Sequence, residues 1–330
     1  MQKFKNRIGI DVSKLTLDMH SAEHNKHLKI SNDSNGFKAL LKWLKELNIE
    51  LHDVLFVMEF TGGYEYRLVQ FCTAKQIAFC RISGLAIKRS MGITRGKNDK
   101  VDAFRIAQYA DEKQKTLEPS KPINTSILKL KELLALRKRL VRENAGYLST
   151  IKGRKDMYDA PKSDIHVKIL NSKLKENKQY IIQIEDQIQC LFEADDTLNN
   201  NYKLLLSIKG IGMVNAAMTI GYTENFTSFI DARKYAVYAG VVPFEYTSGT
   251  SIKGKKRVSQ IANKELKQEL NQAAKSAIQW DEEMKQYAHR LIDKKHYRII
   301  LNNVKFKLIL RMFAVVKKGE LYVDRYKLTA

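Results

Sequence analysis

Three things are scarce in this 330-residue chain, and each scarcity excludes something. Cysteine occurs only at positions 72, 80 and 190. Three is odd, the spacings are wide and no CxxC pair exists, so neither a disulfide framework nor a zinc site is indicated, and a reducing compartment is expected. Long apolar runs are missing too. The nearest, 299–316, is broken by Asn302, Asn303, Lys305, Lys307 and Arg311, so no membrane span is expected. Residues 1–6 lack the apolar core of a signal peptide, and the chain reads as soluble and cytoplasmic. Acidic charge is the third shortage: 36 Asp and Glu stand against 58 Lys and Arg, a net of +22. A surplus of that size calls for a polyanion, and a phosphate backbone is the usual one. The plain alternative, a basic protein with no particular partner, sits badly with the few sharply placed acids.

Those acids come at the ends of apolar strands. The stretch Arg7-Ile8-Gly9-Ile10-Asp11-Val12-Ser13 predicts a buried strand closing on one carboxylate. Two further β segments, 15–20 and 27–31, complete an antiparallel meander. An amphipathic helix then opens at Ser34-Asn35-Gly36, with Phe37, Leu40, Leu41, Leu44 and Leu47 on one face. The run Asp53 to Glu59 predicts a central strand buried on both faces, again ending in an acid. Thr61-Gly62-Gly63 turns the chain, a helix follows over 64–75, and a fifth strand over 77–82. A carboxylate at the end of a buried strand needs a partner, and a metal ion is a common one. Downstream, Asp99 and Asp102 share one face of a predicted helix's first turn, where like charges repel unless a cation lies between them. Asn98 or Asp99 caps that helix; a capping role for Asp99 leaves Asp102 unexplained. Four carboxylates of this kind suit two Mg²⁺ ions acting on a phosphodiester. Lys88, Arg89, Arg95, Lys97 and Lys100 are placed to hold its phosphates.

Pro119 and Pro122 mark a linker, and two heptad seams follow it. The first runs through Leu130, Leu134, Arg137, Val141, Asn144, Leu148 and Ile151. The second runs through Leu170, Leu174, Asn177, Ile181, Ile184, Ile188 and Leu191. With Pro161 in the turn and Ser163 or Asp164 as cap, they predict a helical hairpin that also dimerises, or one whose two helices pair only within the chain. Next, Leu204 to Ala217 reads as helix, Gly210-Ile211-Gly212 turn, helix: a helix-hairpin-helix pattern whose glycines expose N–H groups to a phosphate. A loop is expected over 240–251, followed by the basic run Lys253-Gly254-Lys255-Lys256-Arg257. Ser248, beside Gly249 and these cations, is a weak candidate nucleophile on residue chemistry alone, since loop serines are mostly turn formers. Residues from Trp280 onward read as basic helices without a metal-ligating histidine pattern.

Ile8-Gly9-Ile10-Asp11-Val12-Ser13-Lys14, Met58-Glu59-Phe60-Thr61-Gly62-Gly63-Tyr64 and Lys97-Asn98-Asp99-Lys100-Val101-Asp102-Ala103 together resemble the DEDD transposases of the insertion-sequence-110 family. The block from Leu206 to about Ala274 is similar to that family's second conserved domain, through Gly240-Val241-Val242-Pro243, Ser248-Gly249, Asn263, Leu266 and Leu270. Ala262 stands where the family commonly has Gly, and Lys267 where it commonly has Arg. The resemblance implies an α/β RuvC-like (ribonuclease-H-like) domain over 1–115 and a linker with a coiled-coil hairpin over 116–195. A mainly α C-terminal transposase domain is implied over 196–330. It implies that Asp11, Glu59, Asp99 and Asp102 hold two Mg²⁺ ions and that a serine, Ser248 or next Ser251, attacks the phosphate. It further implies donor and target DNA, an element-encoded bridge RNA, a homodimer assembling to a tetramer on DNA, and a bacterial, nucleoid-associated setting. A site-specific DNA invertase of the same superfamily, a Holliday-junction nuclease and a non-catalytic nucleic-acid scaffold are the alternatives.

Overall fold

The computed structural model describes residues 4–90, 98–248 and 252–324, with side chains outside 245–257. The chain forms two compact units, Met1–Ile123 and Asn124–Ala330.

Unit 1 is a five-stranded mixed sheet with helices on both faces. Its elements are β1 (Asn6–Val12), β2 (Thr16–Ser21), β3 (Lys26–Ser31), α1 (Ser34–Glu46), β4 (Val54–Glu59), α2 (Tyr66–Ala74), β5 (Ala78–Ile82), α3 (Gly84–Ser90) and α4 (Asp99–Glu112). The strand order is β3-β2-β1-β4-β5. The first three strands form the expected antiparallel meander, and β1, β4 and β5 are parallel. Alternation along each strand divides the sheet into two faces. Ile8, Ile10, Val12, Leu17, Met19, Val54, Phe56 and Met58 pack under α1 and α2, with Phe37, Leu40, Leu44, Leu68 and Cys72. The opposite face carries Leu55, Val57, Cys80 and Ile82, which pack against Ile87 of α3 and Ile106 and Ala110 of α4.

One glycine sets how α4 crosses the sheet. A Cβ on Gly9 would lie 2.2 Å from the Ala107 nitrogen and 2.4 Å from the Ala103 carbonyl oxygen. The helix backbone therefore rests on β1 through Gly9, Ala103 and Ala107, which only small residues permit. This crossing holds the first turn of α4 near the C-terminal end of β1.

Unit 2 is helical apart from one hairpin. It comprises α5 (Thr125–Tyr158), α6 (Ile165–Glu193), α7 (Asp196–Leu206), α8 (Met213–Thr223), α9 (Ala232–Tyr238), β6 (Pro243–Ser248), β7 (Ile252–Val258), α10 (Lys264–Trp280), α11 (Glu282–Leu291) and α12 (Tyr297–Lys318). α5 and α6 form the long hairpin, capped at α6 by Asp164, which accepts from the His166 and Val167 amides. The base of the hairpin shares a core with the helices that follow: Leu130, Ile188 and Phe192 pack with Leu205, Tyr235, Leu270 and Leu308. Farther out, the seam turns polar. Asn177 donates to the Asn144 side-chain oxygen at 2.9 Å, and the Arg137 guanidinium meets Glu185 at 2.7 Å. The seam residues Val141 and Leu148 remain exposed, so the hairpin does not cover its own apolar edge. No helix among the described residues is long and apolar enough to cross a membrane.

The 240–251 segment differs from the expected loop. Pro243 to Ser248 is strand β6, paired antiparallel with β7, and Ser248 lies opposite Ile252. The β-favouring residues Phe244, Tyr246 and Thr247 account for the strand, and the basic run 253–257 becomes its partner rather than a tail of the loop.

Candidate active site

The four acids singled out from the sequence lie on one side of one sheet, two on its strands and two on the helix that crosses it. On β1, Ile8, Ile10 and Val12 face α1 and α2, so Gly9 and Asp11 face α4. On β4, Leu55 and Val57 face α4, and Glu59 continues that parity. The Glu59 carboxylate lies over Gly84: a Cβ there would stand 1.9 Å from Oε1, so a side chain at the start of α3 would displace the carboxylate from this seat. Asp99 and Asp102 occupy the first turn of α4. Asn98 is the cap, accepting from the Val101 amide at 2.8 Å, so Asp99 is free of that duty.

The acids act on one another. Asp11 is half-buried, and its pKa is pushed up from 3.8 to about 6. Burial is the largest cause, followed by the negative charges of Asp99, Asp102, Asp18 and Glu59. Asp18 is a fifth acid that the sequence reading passed over. It is directly across the antiparallel ladder from Asp11 and is only 4% exposed. The alternation Thr16-Leu17-Asp18-Met19-His20 carried the signal, since Leu17 and Met19 point into the opposite core.

Basic side chains reach into this cluster from its rim. Lys29 lies 3.0 Å from Asp18 and 3.8 Å from Asp99, and its pKa is raised chiefly by the hydrogen bond to Asp18. His27 Nε2 lies 3.0 Å from the other Asp18 oxygen. Arg105 holds Asp102 at 3.1 Å. Lys100 is exposed on the first turn of α4, and its charge, after burial and His27, helps to lower the pKa of His20. Beside Glu59, Gly62 and Gly63 have φ of 83° and 152°, and a Cβ on either would meet nothing within 4 Å. That turn is locked from below by buried Glu65, which accepts from Thr61 Oγ1 at 2.6 Å and the Gly63 amide at 3.0 Å. The result is bare backbone next to an acid cluster, open to an approaching strand.

Among the described residues no three acids, histidines or cysteines are close enough together to hold a metal ion as they stand. The donor chemistry nevertheless fits a hard divalent cation. The set is all-carboxylate, and its negative charges converge on Asp11. Lys29 and Arg105 offset part of that charge by ion-pairing with Asp99 and Asp102.

The remaining candidates lie in unit 2. Ser248 is the last residue of β6. Lys253, Lys255, Lys256 and Arg257 all lie on β7. Lys97 and Ser251 lie outside the described residues. Gly210 and Gly212 form the turn between α7 and α8, and they differ. Gly210 has φ of 92° and abuts α10, where a Cβ would be 2.7 Å from the Ala277 methyl, so packing alone demands glycine. Gly212 is exposed, caps α8 without a side chain, and has open space around it.

Two family models match in chain order. One, a DEDD transposase model of the IS110 group, matches residues 8–151. The other, described as transposase of the IS116/IS110/IS902 family, matches residues 202–289. The chain belongs to this transposase family. As an IS110-family transposase it is an enzyme of DNA recombination. It is similar to the pilin gene-inverting proteins of Moraxella bovis and Moraxella lacunata, at 28% identity over 272 residues, 81% of each chain. It is also similar to a protein of insertion element IS110 from Streptomyces coelicolor, at 29% identity over 164 residues, 49% of this chain and 39% of that one. The first family match spans Asp11, Glu59, Asp99 and Asp102, and the second spans Ser248.

Proposed function

We propose that this transposase cuts and rejoins the DNA of an insertion element, using four acids in a RuvC-like domain and Ser248 as nucleophile. The observation that carries this reading is the convergence of four negative charges on half-buried Asp11. Asp11, Glu59, Asp99 and Asp102 would hold divalent ions, Mg²⁺ by donor chemistry. When bound, these supply Lewis-acid stabilisation of the charge that grows on the phosphate oxygens. The strand order of unit 1 supports the RuvC-like assignment.

The role of the serine is the one that the family resemblance implies. Ser248 Oγ forms a bond to phosphorus as the bond from phosphorus to the leaving sugar oxygen breaks. The serine proton passes to solvent or a nearby base, and the leaving oxygen gains a proton. The phosphoserine link conserves the phosphodiester, so an incoming sugar hydroxyl reverses the step and rejoins the strand without ATP. The cations of β7 and the open backbone at Gly62-Gly63 suit the approach of a phosphate backbone. The exposed edge of the α5–α6 hairpin supports a homodimer, with a tetramer assembling on DNA. The net charge of +22 leaves capacity for a bridge RNA beside donor and target DNA.

The test is covalent capture on a substrate carrying the element's ends. Wild type is expected to form a protein–DNA adduct that Ser248→Ala abolishes and Asp11→Asn reduces to background. An adduct that persists in S248A moves the nucleophile elsewhere. RNA copurifying with the protein is expected to include one discrete noncoding species from beside the gene.

The Moraxella relatives favour a second reading, site-specific DNA inversion by the same chemistry. A plasmid with inverted ends separates the two: inversion of the enclosed segment without excision supports the invertase.

A further inference from the structure

Unit 2 contains a buried cation that no acid among the described residues meets. Lys305 of α12 is 3% exposed, and its helix neighbours Leu301, Val304, Leu308 and Ile309 belong to the core. No carboxylate among the described residues pairs with it. Elsewhere unit 2 does supply acids to its shielded cations: Arg311 on the same helix meets Asp281 and Glu283, and Lys209 meets Asp324 at 2.7 Å. At Lys305 the charge that acts is that of another cation, Lys267. Burial first, and Lys267 second, push the Lys305 ammonium down to about 8.

The two lysines lie at a meaningful place. Asn302, one turn before Lys305, donates its side-chain amide to the Val241 carbonyl. A Cβ on Gly240 would lie 3.7 Å from Lys267 Cδ and 3.6 Å from Val258 Cγ1. Lys267 and α12 therefore border the base of the β6–β7 hairpin, where Gly240–Val242 enters β6 and Val258 leaves β7. Ser248 ends β6 at the far end of the same hairpin.

We infer that Lys305 and Lys267 form a phosphate-binding subsite at the base of this hairpin, which takes a phosphodiester of a nucleic-acid backbone. Two adjacent cations, one of them desolvated, match an anion with several acceptor oxygens. A bound phosphate relieves both the burial penalty and the mutual repulsion. It would fix the hairpin's position along a strand without reading its bases. The inference rests on unit 2 handling nucleic acid, and assigns it a specific contact.

The experiment uses full-length protein, a random-sequence DNA duplex and a single-stranded RNA, each titrated across salt. Lys305→Met keeps the volume and removes the charge; Lys267→Gln does the same at a less buried position. Each is expected to weaken binding roughly 3- to 10-fold and to lower the slope of log affinity against log salt by about 1. K305M is also expected to melt higher than wild type, because an uncompensated buried charge is gone. Loss confined to the DNA arm or to the RNA arm names the strand held there, and loss in both names a shared backbone contact. Unchanged affinity and salt slope in both variants overturns the inference. So does a K305M protein that melts lower with unchanged binding, since Lys305 then serves the fold. Asp11→Asn protein repeats the titration without cleavage, so a failed catalytic reading leaves this readout intact.

Discussion

The two units bury charge in opposite senses. Unit 1 gathers acids under one helix, until Asp11 resists ionisation to about pH 6 and Lys29 and Arg105 are drawn in from the rim. Unit 2 buries Lys305 where, among the described residues, Lys267 is the charge that acts on it. A phosphodiester with its counter-cations needs both: acids for the cations, cations for the phosphate. The units also differ in how firmly they hold their groups. Asp11 and Glu59 sit in a five-stranded sheet whose register is set on both sides, and α4 is seated on Gly9. Ser248 ends a two-stranded ribbon. The acid cluster is thus preorganised by packing, whereas the strand of the proposed nucleophile has, among the described residues, no third strand to brace it.

The sharpest way to test that contrast is to neutralise the preorganised acid. Asp11→Asn is expected to lower single-turnover strand cleavage by about 10³-fold or more, with the fold intact by circular dichroism. Retained cleavage would remove the acid cluster from the chemistry. The next effect is steric. Gly9→Ala pushes a methyl into the backbone of α4, so chemical denaturation should show a loss of about 1–3 kcal/mol. Cleavage should fall as well, because the first turn carrying Asp99 and Asp102 must move. If G9A is as stable as wild type, α4 is not seated as described.

The residues of this region also show what could be read in advance. Glu59 was legible because an apolar strand ended in a lone carboxylate, and Asp102 because a cap could not account for it. Gly9 was visible as a letter but not as the seat of a helix, since which helix crosses β1 is a tertiary fact. Asp18 needed the β1–β2 register to be placed opposite Asp11, and Lys29 needed its reach. The β6–β7 hairpin was missed because Gly240, Pro243 and the Ser-Gly pair are turn signals that outweighed a short β-favouring run. Lys305 was noted only as an interruption of an apolar run, and its burial depends on how α10 and α12 meet.

A smaller effect concerns stability in the absence of divalent ions. The Asp11 carboxyl is raised from 3.8 to about 6, so the unfolded chain loses this proton first. Stability from this group is fully present below pH 3.8, falls as pH rises toward 6 and stays lowered above it. Asp11→Asn is therefore expected to be more stable than wild type at pH 7, by about 1–2 kcal/mol after allowing for solvent screening. The gain should vanish below pH 3.8. The same substitution then abolishes cleavage and strengthens the fold, the behaviour expected of acids kept for function. Equal stability at both pH values would mean that the cluster is already compensated.

The smallest expected effect probes buried polarity that is matched within the fold. Asn144 and Asn177 bridge α5 and α6 through one hydrogen bond, and Asn177 is only 6% exposed. Unlike Asp11 or Lys305, each amide has its complement, so there is no charge deficit waiting for a ligand. Asn177→Leu alone leaves the Asn144 side-chain oxygen without its donor and should destabilise by about 1 kcal/mol. Asn144→Leu with Asn177→Leu should recover that loss, since two leucines extend the apolar seam. What the double variant should lose is definition of partner number, because a polar pair at one level of a heptad seam disfavours other registers. Sedimentation is expected to show a broadened distribution of oligomers while the melting temperature stays at or above that of wild type. A single sharp species in the double variant would assign the asparagines to stability alone, and the oligomeric state would then depend on the exposed Val141 and Leu148 edge.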